Sequence, residues 1–112
     1  MKTLELKFNL EGIVLSPEDK GKISQEITVI IIKNLIVNYG IQSQNRGLNE
    51  DERRKFYKIC DLLDKAVKDK VDSVEFEDDW MGFLRQAKRS TNMIPNELVR
   101  KVEELIDAVK DR

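Results

Sequence analysis

Between Ile27 and Ile41 the chain concentrates Ile27, Val29, Ile30, Ile31, Ile32, Leu35, Ile36, Val37, Tyr39 and Ile41, although 37% of all its residues are charged. A stretch this apolar must be covered, either at the centre of the fold or in a contact between subunits. It does not suit a bilayer, where about 20 apolar residues are needed, and Lys33, Asn34 and Asn38 interrupt it. The rest of the chain therefore has to be read for what can cover it.

The stretch reads as a helix. Ser16-Pro17-Glu18-Asp19 supplies a capping hydroxyl, a proline where no N–H is needed and carboxylates at the positive end of the dipole. The predicted helix passes through Ile23, Ile27, Ile30 and Ile31 and stops at Gly40, a residue suited to a left-handed cap. The β-branched run from Thr28 to Ile32 is a weak signal for a strand instead. As a helix, its apolar surface extends beyond one stripe, so more than one neighbour has to pack on it.

Ahead of it, residues 3–10 alternate strictly, with Leu4, Leu6, Phe8 and Leu10 on one face, as in a half-buried strand. Glu11-Gly12 reads as a turn or bulge, and Ile13-Val14-Leu15 as either the second strand of a hairpin or the first strand resumed. Residues 42–47, with Ser43 and Asn45, read as a loop. Asn49 and Glu52 have capping-box spacing and open an amphipathic helix with Phe56, Ile59, Cys60, Leu63, Ala66 and Val67 on its apolar side, ending near Lys70. Val74-Glu75-Phe76-Glu77 reads as a short strand able to pair with the first. Asp78 or Asp79 caps a third helix containing Trp80, Phe83, Leu84 and Ala87, in which Gly82 hints at a close approach or a short helix. Ser90 to Asn92 breaks it, and Met93-Ile94-Pro95 opens a last helix striped by Leu98, Val102, Leu105, Ile106 and Val109.

These elements predict a single α+β domain over residues 1–112. A small antiparallel sheet, from an N-terminal strand or hairpin and a short strand near 73–77, packs on about four helices with the Ile-rich helix in the middle. A chain of 112 residues is enough for one core, burying roughly 65% of the unfolded surface. Twenty basic and 21 acidic residues leave a net charge of -1, which gives no long-range attraction to nucleic acid or an anionic membrane. One cysteine and no basic-then-apolar leader point to a reducing cytoplasm.

The chain has no histidine, which removes the commonest general base, the commonest zinc ligand and every Ser-His or Cys-His nucleophile pair. Cys60 lies on an apolar stripe and reads as core. Glu75, Glu77, Asp78 and Asp79 cluster, but without the spacing of a calcium loop or the aromatic subsites of a glycosidase they read as a strand face and a helix start. No catalytic residue, metal ligand or cofactor is expected, and whether the cluster holds a cation stays open. The residues marked as candidate protein contacts are Ile32, Ile36, Tyr39, Trp80 and Met81. The alternative is a nucleic-acid surface of Arg53, Arg54, Lys55, Arg85, Lys88 and Arg89.

The order of segments, with Ser16-Pro17-Glu18-Asp19-Lys20-Gly21-Lys22, Arg54-Lys55-Phe56-Tyr57-Lys58, Val74-Glu75-Phe76-Glu77-Asp78-Asp79 and Val102-Glu103-Glu104-Leu105-Ile106, resembles small accessory proteins of tailed bacteriophages and prophages. The resemblance implies a viral or mobile-element origin and an interaction role, and carries over no functional residue. The expectation is a non-enzymatic protein-binding module, self-associating as a homo-oligomer or docking on a larger viral or host protein.

Overall fold

The computed structural model describes residues 1–44, 47–93 and 95–109. Its order is β1 (Lys2–Glu5), α1 (Ser24–Gln44), α2 (Glu50–Lys68), β2 (Ser73–Phe76), α3 (Asp78–Ser90) and α4 (Glu97–Asp107). Asn45 of the expected 42–47 loop and Ile94 of the expected last helix entry lie outside the described residues.

The fold is α+β, with one two-stranded antiparallel sheet in which Leu4 faces Val74 and Lys2 faces Phe76. Leu4, Leu6, Val74 and Phe76 are buried, so the alternation read in the sequence is the inward face of the sheet. The ladder is shorter than the alternating run because β2 is only four residues long; one further bond, Leu6 N–H to the Asp72 carbonyl at 2.8 Å, ends it. Phe8 and Leu10 keep the inward pattern as a non-ladder segment against the core. Residues 13–15 form no strand: a turn at Glu11–Gly12, with Gly12 at φ +76°, leads into irregular chain.

The central helix is displaced from its predicted span. Ser16 starts a single turn, with Asp19 N–H and Lys20 N–H both directed at its carbonyl, but Gly21 adopts φ +87° and stops it. The helix begins afresh when the Ile23 carbonyl accepts from Glu26 and Ile27 N–H. At the other end it runs through Gly40 to Gln44. Gly40 is there for proximity rather than capping: a Cβ on it would lie 3.1 Å from the Leu48 backbone nitrogen and 3.2 Å from the Gly47 carbonyl carbon. Gly82, by contrast, has open space around it and allows no close approach to explain it.

The expected wrapping of α1 is observed: it packs against α2, α3 and α4. Ile27, Val29, Ile31, Ile32, Leu35, Ile36 and Tyr39 are buried, and Thr28, also buried, sets its hydroxyl 2.7 Å from the Leu6 carbonyl oxygen, tying α1 to the chain after β1. Around it, α2 carries the full capping box of Asn49 and Glu52 and buries Ile59, Leu63 and Ala66. The start of α3 differs slightly from expectation, since Glu77 holds the cap position and gives no side-chain cap. For α4 the cap is Asn96, whose side chain accepts from Leu98 N–H; Met93 and Pro95 precede the helix.

Candidate protein-contact surface

The structure corrects most of the contact residues expected from sequence. Ile32, Ile36 and Met81 have no exposed surface and Tyr39 is buried, so none of them is offered to a partner. The reason is the three-sided cover of α1: its Ile32-Ile36-Tyr39 side is closed by neighbouring helices, with the Tyr39 ring edge-on to Phe83 at 6.2 Å and its hydroxyl accepting from the Gln86 amide. Met81 lies on the inner face of α3. Trp80 is half-buried at the rim of the core, edge-to-face with Phe76 at 6.2 Å.

What α1 leaves in solvent is a different stripe. Ile30, Val37 and Ile41 are 40%, 43% and 60% exposed, and the exposed Asn34 sits between them. The spacing 30-34-37-41 places all four on one side of the helix, rising about 16 Å at 1.5 Å per residue. Beside it, where the N-terminal end of α4 meets α1, lie two hollows that share Asn96 and Val99. One, of ≈ 170 Å³, is lined by Ile27, Ile30, Ile31, Asn34 and Leu98; the other, of ≈ 490 Å³, by Asn38, Gln42, Asn92 and Met93. The segment between α3 and α4 is pinned there by Gln42, whose amide donates to the Asn92 carbonyl at 3.0 Å while its oxygen accepts Asn92 N–H at 2.9 Å. The sequence held a signal for this face. It is the side of the Ile-rich helix that carries Asn34 and Asn38, amides that a core would have to satisfy.

The basic residues considered for nucleic acid are largely engaged at home. Arg54 and Lys55 pair with Glu50 and Asp51 one turn earlier on α2. Arg85 donates to the Val109 carbonyl, Lys88 meets Asp107 at 2.6 Å, and the Arg89 Nε donates to the Arg85 carbonyl. Arg53 is exposed on α2, whereas Arg85, Lys88 and Arg89 lie on α3. The acidic cluster is dispersed in its contacts. Glu75 and Glu77 are exposed, Asp78 lies 3.7 Å from the N-terminal ammonium, and the Asp79 carboxylate accepts Trp80 N–H. Among the described residues no three His, Cys, Asp or Glu side chains converge to hold a metal.

Cys60 is half-buried on α2. Burial pushes its thiol up; nearby Lys33 opposes that shift, and Asp64 and Asp61 add to it. A thiol held protonated in this way is a poor nucleophile. Among the described residues no helix is long and apolar enough to cross a membrane. Compared with protein-family models, with curated proteins and with solved structures, the chain matches none of them.

Proposed function

We propose that this chain is a non-enzymatic protein-interaction module whose contact face is the Ile30-Asn34-Val37-Ile41 stripe and the adjoining hollows at α4. The observation that carries the reading is the partial exposure of three β-branched side chains on the same side of the most apolar helix in the chain. The resemblance to phage and prophage accessory proteins adds a viral or host protein in a bacterial cytoplasm as the natural partner.

Magnitudes separate the two forms of the proposal. Covering the exposed part of each of the three side chains yields about 1 kcal/mol, hence about 6 kcal/mol for two copies facing each other. Association costs at least about 4 kcal/mol. A homo-oligomer held by the stripe alone is therefore weak and concentration-dependent, and a partner that brings its own apolar groove binds better.

The test is light scattering over a concentration series, together with capture of partners from the native host, for the wild type and Val37→Asp. The reading expects mass above one chain only at high concentration, and loss of both self-association and captured partner in the variant. A monomer at every concentration removes the homo-oligomer, and a captured partner indifferent to Val37→Asp removes this face as the contact.

A further inference from the structure

We propose that the open hollow at the N-terminal end of α1 docks an acidic peptide segment of a partner protein that carries an apolar side chain among its carboxylates. The hollow, of ≈ 750 Å³, lies where the chain after β1, the start of α1 and the end of α2 meet. Its apolar floor is Phe8, Leu10 and Ile23, and its rim holds Lys7, Lys22 and Lys70. Among the described residues no carboxylate lines it.

Ser24 and Gln25 are committed to internal bonds and Asn9 accepts Glu11 N–H at 2.9 Å through its Oδ1, so the charges that the hollow presents are ammonium groups. Ser24 accepts Phe8 N–H at 3.2 Å and donates to the Gln25 oxygen, while the Gln25 amide donates to Asp72 at 2.8 Å. Asp19 lies 3.5 Å from Lys22 and offsets part of its charge. Lys7 and Lys70 have no carboxylate partner among the described residues. In a chain of net charge -1, three cations around an apolar floor are a local reversal of sign, complementary to a segment of opposite charge.

Lys70 sharpens the argument. It holds the left-handed position of the motif that ends α2, with Lys70 N–H bonded to the Val67 carbonyl and Val71 N–H to that of Ala66. At φ 56° glycine is the cheaper residue. A lysine there is favoured by the helix dipole, as any cation at a helix C-terminus is, and the same charge also stands at the edge of the hollow. The floor also favours peptide over single-stranded nucleic acid: it has one aromatic ring and two aliphatic side chains, where stacked bases want a series of rings.

The experiment uses the full chain and fluorescence anisotropy of a labelled synthetic peptide in which aspartates and glutamates flank a central leucine and phenylalanine. Binding is expected, weakening as salt is raised. Lys7→Gln with Lys70→Gly should lower affinity about tenfold, the sum of two exposed charge pairs near the upper end of their usual strength. Lys70→Gly relieves the left-handed strain, so its urea midpoint should not fall, and loss of binding cannot then come from unfolding. Val37→Asp should bind the peptide like the wild type, which keeps this site separate from the α1 stripe. Unchanged affinity in the double variant overturns the proposal. So does equal binding of a peptide whose leucine and phenylalanine are replaced by serine, or equal displacement by inorganic phosphate or by an oligothymidine of the same charge.

Discussion

Alanine at position 40 and alanine at position 82 make the same covalent change inside a helix, and the two should move stability in opposite directions. Helix propensity alone favours alanine over glycine by about 1 kcal/mol. At Gly82, exposed on α3, an added Cβ meets nothing within 4 Å. Gly82→Ala should therefore stabilise by about 0.5–1 kcal/mol, raising Tm by roughly 4 °C. At Gly40 the same carbon would lie 3.1 Å from Leu48 Cδ2, 3.1 Å from Leu48 N and 3.2 Å from Gly47 C. Rotating the leucine relieves only the first contact. The backbone atoms are held by Gly47 N–H bonding the Gly40 carbonyl at 3.2 Å and by the capping box one residue further on. Overpacking of this kind costs about 1–3 kcal/mol. Set against the propensity gain, Gly40→Ala should lose roughly 0–2 kcal/mol, and the two variants should differ by about 1–3 kcal/mol. Urea unfolding followed by circular dichroism at helical wavelengths reads this directly, provided the slope is the same in all three proteins. Equal stabilisation by both alanines would refute the reasoning, because it would mean that the 47–48 backbone does not lie against α1.

Other substitutions probe the remaining elements. Ile32→Ala, at a fully buried position, should cost about 2–5 kcal/mol in the same assay, whereas Val37→Ala on the exposed stripe should cost under about 1 kcal/mol; comparable losses would contradict the observed facing of α1. Asn49→Ala removes the side-chain acceptor for Glu52 N–H and should destabilise by about 1 kcal/mol, an effect absent if the box is not formed in solution. Because burial raises the Cys60 thiol, the folded chain keeps that proton longer than the unfolded one. The resulting stability is intact below the ordinary thiol value of 9.0 and is lost as pH climbs through the folded value, so the urea midpoint should fall at alkaline pH less steeply in Cys60→Ala than in the wild type. Iodoacetamide should also label Cys60 more slowly in the native protein than in urea, and equal rates would contradict its half-buried setting.

Local patterns were the legible part of this chain. Alternation placed Leu4 and Leu6 in the core, capping-box spacing located the start of α2, and the three-four stripes of α2, α3 and α4 marked the sides that are buried. Two glycines were harder to read, since a glycine looks the same whether it ends a helix, as a φ of +87° at Gly21 ends the first turn, or admits a neighbouring backbone, as at Gly40. Of the expected contact residues, only Trp80 keeps part of its surface in solvent, and the sequence did not mark Ile30, Asn34, Val37 and Ile41 as the side of α1 left exposed.

The sequence by itself determined that α1 would be the centre of the molecule, because a segment so apolar has to be surrounded. Which of its isoleucines are enclosed and which face water was decided only by tertiary structure. The helix is apolar on nearly every side, so its own periodicity names no inner face; the faces are distinguished by where α2, α3 and α4 come to rest on it. The same holds for the hollow at its N-terminal end, where Lys7, Lys22 and Lys70, far apart along the chain, meet only after the strand, the central helix and the end of α2 have packed.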